Sequence, residues 1–434
     1  MNKTRLSQSK ITNKTVVCII GLGYVGLPLA LAFAKAGLKV LGVDIQQRRV
    51  DWVNKGQSYI ADVDSKVLRE TVREGLLKAT TDQSRLKEVD AICICVPTPL
   101  TKTKDPELSY VISESEVVSK YLQKGQLVIL ESTTYPGTTR EVMLPILERS
   151  GLKAGRDFYL AFSPERVDPG SKNYNVRNTP KVIGGIDTKS TKLATLLYSR
   201  IVDRVVPVSS PEVAEMTKVF ENVFRNVNIA LVNELTLLCE KMKISVWEVI
   251  DAAATKPFGY MPFYPGPGIG GHCIPLDPYY LANKAREFDF HTRFIELAAD
   301  INEHMPYYVV SRMLDAMNSE GKSLHGAKVL VLGVAYKRDV EDVRESPSLK
   351  LIELLCEKGA NVSYNDPYVA SVRISENNLR SVNLTDEQLV SADCVVIATD
   401  HTCYDYKYIA RKASFVFDTR GVTRKLRNKN IVRL

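Results

Sequence analysis

Val16-Val-Cys-Ile-Ile-Gly-Leu-Gly-Tyr-Val-Gly26, with Asp44 further on, decides the fold. Five apolar residues precede the glycines, the pattern of a strand buried on both faces. A helix-compatible run over about residues 25–36 stops at Gly37, and a second apolar strand, Lys39–Val43, leads into Asp44. Strand, glycine turn, helix and strand form the opening βαβ unit of a parallel sheet. Glycines at 21, 23 and 26 let the backbone turn and approach a pyrophosphate at the helix N-terminus. The acid eighteen residues after Gly26 can accept ribose hydroxyls. The spacing therefore points to a dinucleotide held by Gly21, Leu22, Gly23, Tyr24, Val25, Gly26 and Asp44. Asp44 would repel a 2′-phosphate, which favours NAD over NADP, whereas Arg48 or Arg49 could bind one and temper that preference.

Outward from this unit, apolar strands recur at residues 91–96, 127–130, 159–162 and 181–184, and a doubly wound sheet to about residue 208 is expected. Ser210-Pro211-Glu212 then reads as a helix start, followed by about thirty helix-compatible residues. Val213, Met216, Val219, Phe220, Val223, Phe224, Val227, Leu231 and Leu235 surround this helix, so it is expected to be buried between domains or subunits. A second helix is expected at about 293–318. From residue 328 the opening pattern returns: the step from Gly359 to Asp366 equals that from Gly37 to Asp44, and Cys394-Val-Val-Ile397 answers Ile92-Cys-Ile94. The expected fold is α/β, with two Rossmann-like doubly wound parallel-sheet domains (1–208 and 319–434) joined by a helical centre (209–318).

The composition is that of an ordinary globular protein. Of 434 residues, 45% are hydrophobic and 25% charged, and no low-complexity tract interrupts them. The 58 basic and 50 acidic residues leave a net charge of +8. An excess so thinly spread suits anionic small molecules better than a nucleic acid, which needs clustered basic residues. Residues 16–43 are long enough to test as a membrane span, but Gly21, Gly23, Gly26, Pro28, Lys35 and Lys39 interrupt them, and no secretory leader is recognisable. The eight cysteines follow no disulfide framework, which predicts a reduced, cytoplasmic chain. Cys18, Cys93, Cys95, Cys239 and Cys356 are expected to be small buried hydrophobes.

Gly266-Pro-Gly-Ile-Gly-Gly-His-Cys273-Ile-Pro-Leu-Asp277 is the most informative segment. Glycine-rich backbone can offer amides to an anion, and a cysteine in such a loop, with a histidine beside it and a carboxylate four residues on, can act as a thiolate nucleophile. His272-Cys273 and His401-Thr-Cys403 lack paired metal-ligand spacing, so no metal is expected. On the long helix Lys218, Asn222 and Arg225 share a face; a lysine and an amide there could stabilise an oxyanion, although a solvated stripe is the plainer reading of those residues alone. In the second Rossmann-like unit, Gly333-Val-Ala-Tyr-Lys-Arg-Asp339 lacks the second and third glycines. That loop should present its basic residues to something other than a dinucleotide, such as a nucleotide diphosphate.

Together with Val96-Pro-Thr-Pro99, Glu131-Ser-Thr-Thr-Tyr-Pro136, Ser163-Pro-Glu165 and Lys337 to Arg344, these motifs resemble the UDP-glucose/GDP-mannose dehydrogenase family over nearly the whole chain. His272 before the cysteine and the run Phe224 to Glu234 are similar to the branch that acts on UDP-N-acetylhexosamines, closest to the UDP-N-acetylglucosamine 6-dehydrogenases. The resemblance implies a four-electron oxidation of C6 by two NAD used in turn, through a thiohemiacetal and a thioester on Cys273. It implies that Lys218 and Asn222 stabilise an oxyanion, that Asp277 and Thr134 position water or move protons, and that Glu165 assists hydrolysis. Arg49, Thr98, Thr134 and Arg344 join the cofactor set. Glu165, Arg166, Lys218, Asn222, Arg225, Tyr264, Gly266, Gly268, Gly270, Lys337 and Arg420 form the substrate set, with Arg420 reaching across a subunit boundary in a homodimer or larger oligomer built on the long helix. UDP-N-acetylmannosamine, UDP-N-acetylgalactosamine, UDP-glucose and GDP-mannose remain open as substrates. A non-catalytic nucleotide sensor is the rival of another class, against which the joint presence of Cys273, Lys218, Asn222 and Asp277 argues.

Overall fold

The structure is a computed structural model that describes residues 11–60, 62–101, 105–167, 173–271, 274–375 and 377–434. It divides into two compact units, Met1–Glu221 with Asn283–Phe290, and Asn222–Ala282 with His291–Leu434.

The first unit is built on eight strands: β1 (Val16–Ile20), β2 (Lys39–Val43), β3 (Leu77–Thr80), β4 (Ala91–Ile94), β5 (Leu127–Leu130), β6 (Tyr159–Phe162), β7 (Lys181–Gly185) and β8 (Val205–Val208). Their order is β3-β2-β1-β4-β5-β6-β7-β8. The sheet is parallel except where β7 meets β6, with Ala161 opposite Gly185 and Phe162 opposite Gly184. Alternation of side chains explains why these strands are apolar throughout. Val17, Ile19, Cys93 and Ile129 enter the core under the Gly26–Lys35 helix, while Cys18, Ile20, Ile94 and Leu130 enter the core on the opposite face. The strand order reverses between β1 and β4, and the crevice at their carboxyl ends is where such sheets take ligands. The glycine turn lies there.

The second unit repeats the pattern with β9 (Lys328–Leu332), β10 (Asn361–Asn365), β13 (Cys394–Ile397), β14 (Val416–Asp418) and β15 (Ile431–Arg433) in the order β10-β9-β13-β14-β15, all parallel. Between them β11 (Ser371–Ile374) and β12 (Asn377–Arg380) form an antiparallel hairpin. After β9 the turn keeps only Gly333, at φ +84°, where an added Cβ would lie 2.4 Å from Thr399. The acid after β10 is fully committed within the protein. Asp366 Oδ2 accepts from the Val334 and Ala335 amides at 2.7 and 3.0 Å and meets His401 Nε2 at 3.1 Å; Oδ1 accepts from the Tyr368 amide at 2.9 Å. Burial alone would raise the Asp366 carboxyl, but His401 and the surrounding amides hold it below the usual range.

The long helix runs Pro211–Lys241 and a second one Arg293–Ser319. Within the single chain the long helix is buried on one side only. Val219 and Val223 are buried, but Val213, Met216, Phe220, Phe224 and Leu231 are exposed, Phe220 by 63% and Leu231 by 60%. At about 100° per residue, Val213, Phe220, Phe224, Leu231 and Leu238 fall within about 40° of one another, and Asn222, Asn226 and Asn233 fall on the opposite side. The helix buries its polar seam and presents an apolar stripe, the reverse of an ordinary surface helix. Cys356 is a correction: it lies on the outer side of the Pro347–Glu357 helix and is exposed, whereas Cys18, Cys93, Cys95 and Cys239 are buried as expected. Among the described residues no helix is long and apolar enough to cross a membrane.

Candidate active site

In the first unit the glycine turn is fixed by sterics. A Cβ on Gly21, at φ +88°, would lie 2.5 Å from the Cys95 carbonyl oxygen, and one on Gly26 would lie 1.8 Å from the Gly21 carbonyl oxygen. Gly23 differs: a Cβ there meets nothing within 4 Å, so the space above it is open to a bound group. Asp44, at the end of β2, accepts from the Leu22 amide at 2.9 Å and pairs with Arg49 at 3.3 Å. Arg48 lies over the Trp52 ring at 4.3 Å, and the Tyr59 hydroxyl donates to the Leu22 carbonyl. An open glycine cradle beside a buried acid fits an adenine dinucleotide.

Thr98 and Thr134 are buried in the loops after β4 and β5, and the Thr134 and Thr138 hydroxyls are 2.5 Å apart. The Thr134 turn is held from the long helix by Glu215, which sequence reading missed. Glu215 accepts from the Gly137 amide at 2.6 Å and from the Thr139 amide and hydroxyl at 2.8 and 2.7 Å, and burial pushes its carboxyl up. Lys218, one turn further along, is half-buried.

Glu165 follows β6. Its Oε1 accepts from the Arg166 and Val167 amides, both at 2.7 Å, and its Oε2 lies 3.2 Å from Lys181 Nζ. Lys181 also meets Glu131 at 2.7 Å, and the Tyr198 hydroxyl donates to the other Glu131 oxygen. Burial opposes charge on all three groups. It drives the Glu131 carboxyl up to about 7 against the pull of Lys181, while the two carboxylates keep Lys181 protonated. Burial acts on Glu165 too, but Lys181 and the two amides hold it below the usual carboxylate range. Arg166 is spent on Glu221, at 2.6 Å, and on the Pro180 carbonyl. Lys181 went unread because a lone lysine at a strand start carries no spacing signal, and Glu131 entered only as the first residue of a motif, without a role.

In the second unit Asn222 and Asp277, both buried, are hydrogen-bonded to each other. Arg225 is exposed. The loop from Tyr264 packs on the basic loop after β9. A Cβ on Gly270 would lie 2.7 Å from both the Glu345 carbonyl oxygen and Tyr336 Cβ, and one on Gly271 would lie 2.9 Å from the Tyr336 ring. The Gly271 amide donates to the Arg344 carbonyl at 3.0 Å, and Lys337 Nζ lies 5.8 Å from the Tyr336 ring centre. Gly268 takes φ +129°, and a Cβ on Gly266 would lie 2.8 Å from Arg420 Nη1. Arg420 donates to the Ala398 carbonyl at 2.7 Å. Tyr264 stacks on Trp247 at 6.1 Å and donates to Asp251 at 2.9 Å. Asn222, Arg225, Tyr264, Asp277, the glycine loop, Lys337, Arg344 and Arg420 belong to the second unit, and Gly21 to Gly26, Asp44, Arg49, Thr98, Thr134, Glu165, Arg166 and Lys218 to the first. Cys273 and its neighbour His272 lie outside the described residues.

A dinucleotide-binding sheet, together with a second Rossmann-like unit whose turn lacks the second and third fingerprint glycines, defines a nucleotide-binding protein of the Rossmann class. The NAD binding domain of the UDP-glucose/GDP-mannose dehydrogenase family matches residues 15–202, its central domain residues 212–304 and its UDP binding domain residues 330–425; the chain belongs to that family. It is an NAD-dependent UDP-sugar dehydrogenase. It is 39% identical to a UDP-N-acetyl-D-glucosamine 6-dehydrogenase of Pseudomonas aeruginosa, covering 82% of this chain and 83% of that one. It is 38% identical to a UDP-N-acetyl-D-mannosamine dehydrogenase of Pyrococcus horikoshii, covering 89% of each. The solved structure of a UDP-D-ManNAc dehydrogenase from Pyrococcus horikoshii superimposes with a TM-score of 0.88 at 35% identity, covering 96% of this chain and 98% of that one.

Proposed function

We propose that this chain oxidises the C6 alcohol of a UDP-N-acetylhexosamine to the carboxylate through a covalent intermediate on Cys273. UDP-N-acetylglucosamine is the first choice of sugar, supported by His272 before the cysteine and by the Pseudomonas relative's name. UDP-N-acetylmannosamine is the second, supported by the Pyrococcus relative and its structure. The observation that carries the reading is the buried Asn222–Asp277 pair. It sets a carboxylate and an amide four residues past Cys273, in the unit whose glycine loop packs on Tyr336 and Arg344.

NAD supplies the hydride acceptor for both oxidations, four electrons in all. Removal of the first hydride and a proton turns the alcohol into an aldehyde. The Cys273 sulfur then bonds to C6 and its proton passes to the oxygen, giving a thiohemiacetal. That step makes C6 tetrahedral while keeping its remaining hydrogen, so loss of the hydroxyl proton lets that hydrogen leave as the second hydride and a thioester results. Water attacks the thioester carbon, the C–S bond breaks and the thiol recovers its proton. Lys218 and Asn222 stabilise the oxyanion at each tetrahedral stage. Asp277 and Thr134 orient water and move protons, and Glu165, held ionised by Lys181, assists thioester hydrolysis. Arg166, Arg225, Tyr264, Gly266, Gly268, Gly270, Lys337 and Arg420 hold the sugar nucleotide. Arg49, Thr98 and Arg344 complete the cofactor set. In this reading residues 1–208 hold the cofactor, 209–318 the nucleophile loop and 319–434 the UDP group.

The long helix is the core of a homodimer. Its exposed apolar stripe runs from Val213 to Leu238, roughly 38 Å at the α-helical rise, and is uncharged along its centre, as a self-complementary interface requires. A cytoplasmic location accompanies this reading, supported by the scattered cysteines.

Incubation of the purified chain with NAD and each UDP-sugar in turn tests the substrate. Two NADH per sugar are expected from an N-acetylated sugar. Turnover confined to UDP-glucose or GDP-mannose overturns the choice.

A further inference from the structure

The polar seam of the long helix is spent on one other stretch of chain. Asn222, Asn226 and Asn233 are 6%, 2% and 0% exposed and lie within about 40° of each other around the helix. Asn233 Oδ1 accepts from the Gly266 amide at 3.1 Å, Asn226 Nδ2 donates to the Ile274 carbonyl at 3.2 Å, and Asn222 donates to Asp277. As the helix rises, its asparagines take the loop in reverse order. Asn302, from the second long helix, joins two of the rungs. It accepts from Asn233 Nδ2 at 2.8 Å and donates to the Asn226 carbonyl at 3.1 Å.

Glycine at 266, 268 and 270 gives the chain there little conformational preference of its own, so its register depends on outside contacts. Buried amides left unpaired are costly, so each rung holds only while the loop stays in register. We infer that Asn226, Asn233 and Asn302 are positioning residues that hold the chain at Gly266 and Ile274, on either side of Cys273, and so support the step of the reaction that needs Cys273. This inference rests on Cys273 being the nucleophile.

The full-length variants Asn226→Ala, Asn233→Ala and Asn302→Ala test it. The first oxidation needs no sulfur, so a displaced loop should spare it and impair the second. Acid formation is expected to fall roughly 10- to 100-fold for the two loop-contacting residues and less for Asn302, with KM for NAD within about threefold of the parent. NADH formed per sugar should drop from two towards one, and free aldehyde should appear. Alkylation of Cys273 by iodoacetamide, read by peptide mass spectrometry, should change rate while the exposed Cys356 and Cys403 react as before. A merely weakened fold would lower the active fraction and leave the ratio at two; that result, or parental turnover, overturns the inference. If an alanine variant does not fold, Asn226→Ser and Asn233→Ser, which keep a small polar group in each pocket, carry the same expectations. Cys273→Ser, measured in parallel, separates the two ideas. Acid formation surviving there sinks the nucleophile reading, whereas its loss there alongside parental behaviour in the asparagine variants sinks only the positioning role.

Discussion

Replacing Lys181 with methionine keeps the aliphatic stem and removes the one ammonium lying between Glu131 and Glu165, 2.7 and 3.2 Å from their oxygens. All three side chains are buried or nearly so, and water cannot replace the lost charge. If each carboxyl then rises by one to two pKa units, at about 1.4 kcal/mol per unit, Glu165 loses about 1–3 kcal/mol at pH 8, and Glu131, already at about 7, becomes largely protonated and adds about 1 kcal/mol, so the total is about 2–4 kcal/mol. The pH dependence has a definite sign. In the parent, Glu165 is depressed, so its contribution is present above the unfolded carboxylate pKa and fades as pH falls through the folded one. In Lys181→Met both carboxyls are raised, and raised carboxyls favour the folded state at low pH and lose that advantage as pH climbs. The penalty should therefore shrink to about 1–2 kcal/mol near pH 5. Urea unfolding followed by 19F NMR of 5-fluorotryptophan reads this unit alone, because Trp52 lies in it and Trp247 in the other. A penalty under about 1 kcal/mol at pH 8, or one that grows on acidification, would refute the reasoning.

Leu231→Lys on the exposed stripe should leave the monomer folded and convert dimer to monomer in sedimentation at micromolar concentration; an unchanged dimer would place the interface elsewhere. Gly270→Ala forces a Cβ to 2.7 Å from the Glu345 carbonyl oxygen and Tyr336, and should cost the second unit about 1–3 kcal/mol, visible as an earlier Trp247 resonance transition. Asp44→Ala leaves the Leu22 amide without its acceptor and removes the proposed ribose partner, so the Kd for NAD should rise about tenfold by calorimetry, with the affinity for the UDP-sugar unchanged. An equal loss for both ligands would argue for general damage.

The opening βαβ unit was legible because its signal is local: an apolar run, glycines with fixed spacing and an acid at a strand end. The recurrence at residue 328 was legible for the same reason. Leu77–Thr80 and Val205–Val208 were not read as strands, since Leu-Lys-Ala-Thr and Val-Val-Pro-Val are four residues long and carry a lysine or a proline. The long helix was read in place but not in orientation. An apolar count cannot tell which side turns inward, and here buried asparagines claim the inside. His401 illustrates the limit most plainly. Its pairing with Asp366 joins residues 35 positions apart, which no local pattern in the sequence announces.

The reading stands on the sulfur of Cys273 bonding to C6. A single turnover with UDP-N-acetylglucosamine and NAD, quenched in acid and mapped by mass spectrometry, should find the sugar's acyl group on the peptide that contains Cys273, and Cys273→Ala should form no carboxylate. An acyl group on any other residue, or carboxylate formed by that variant at the parental rate, contradicts it.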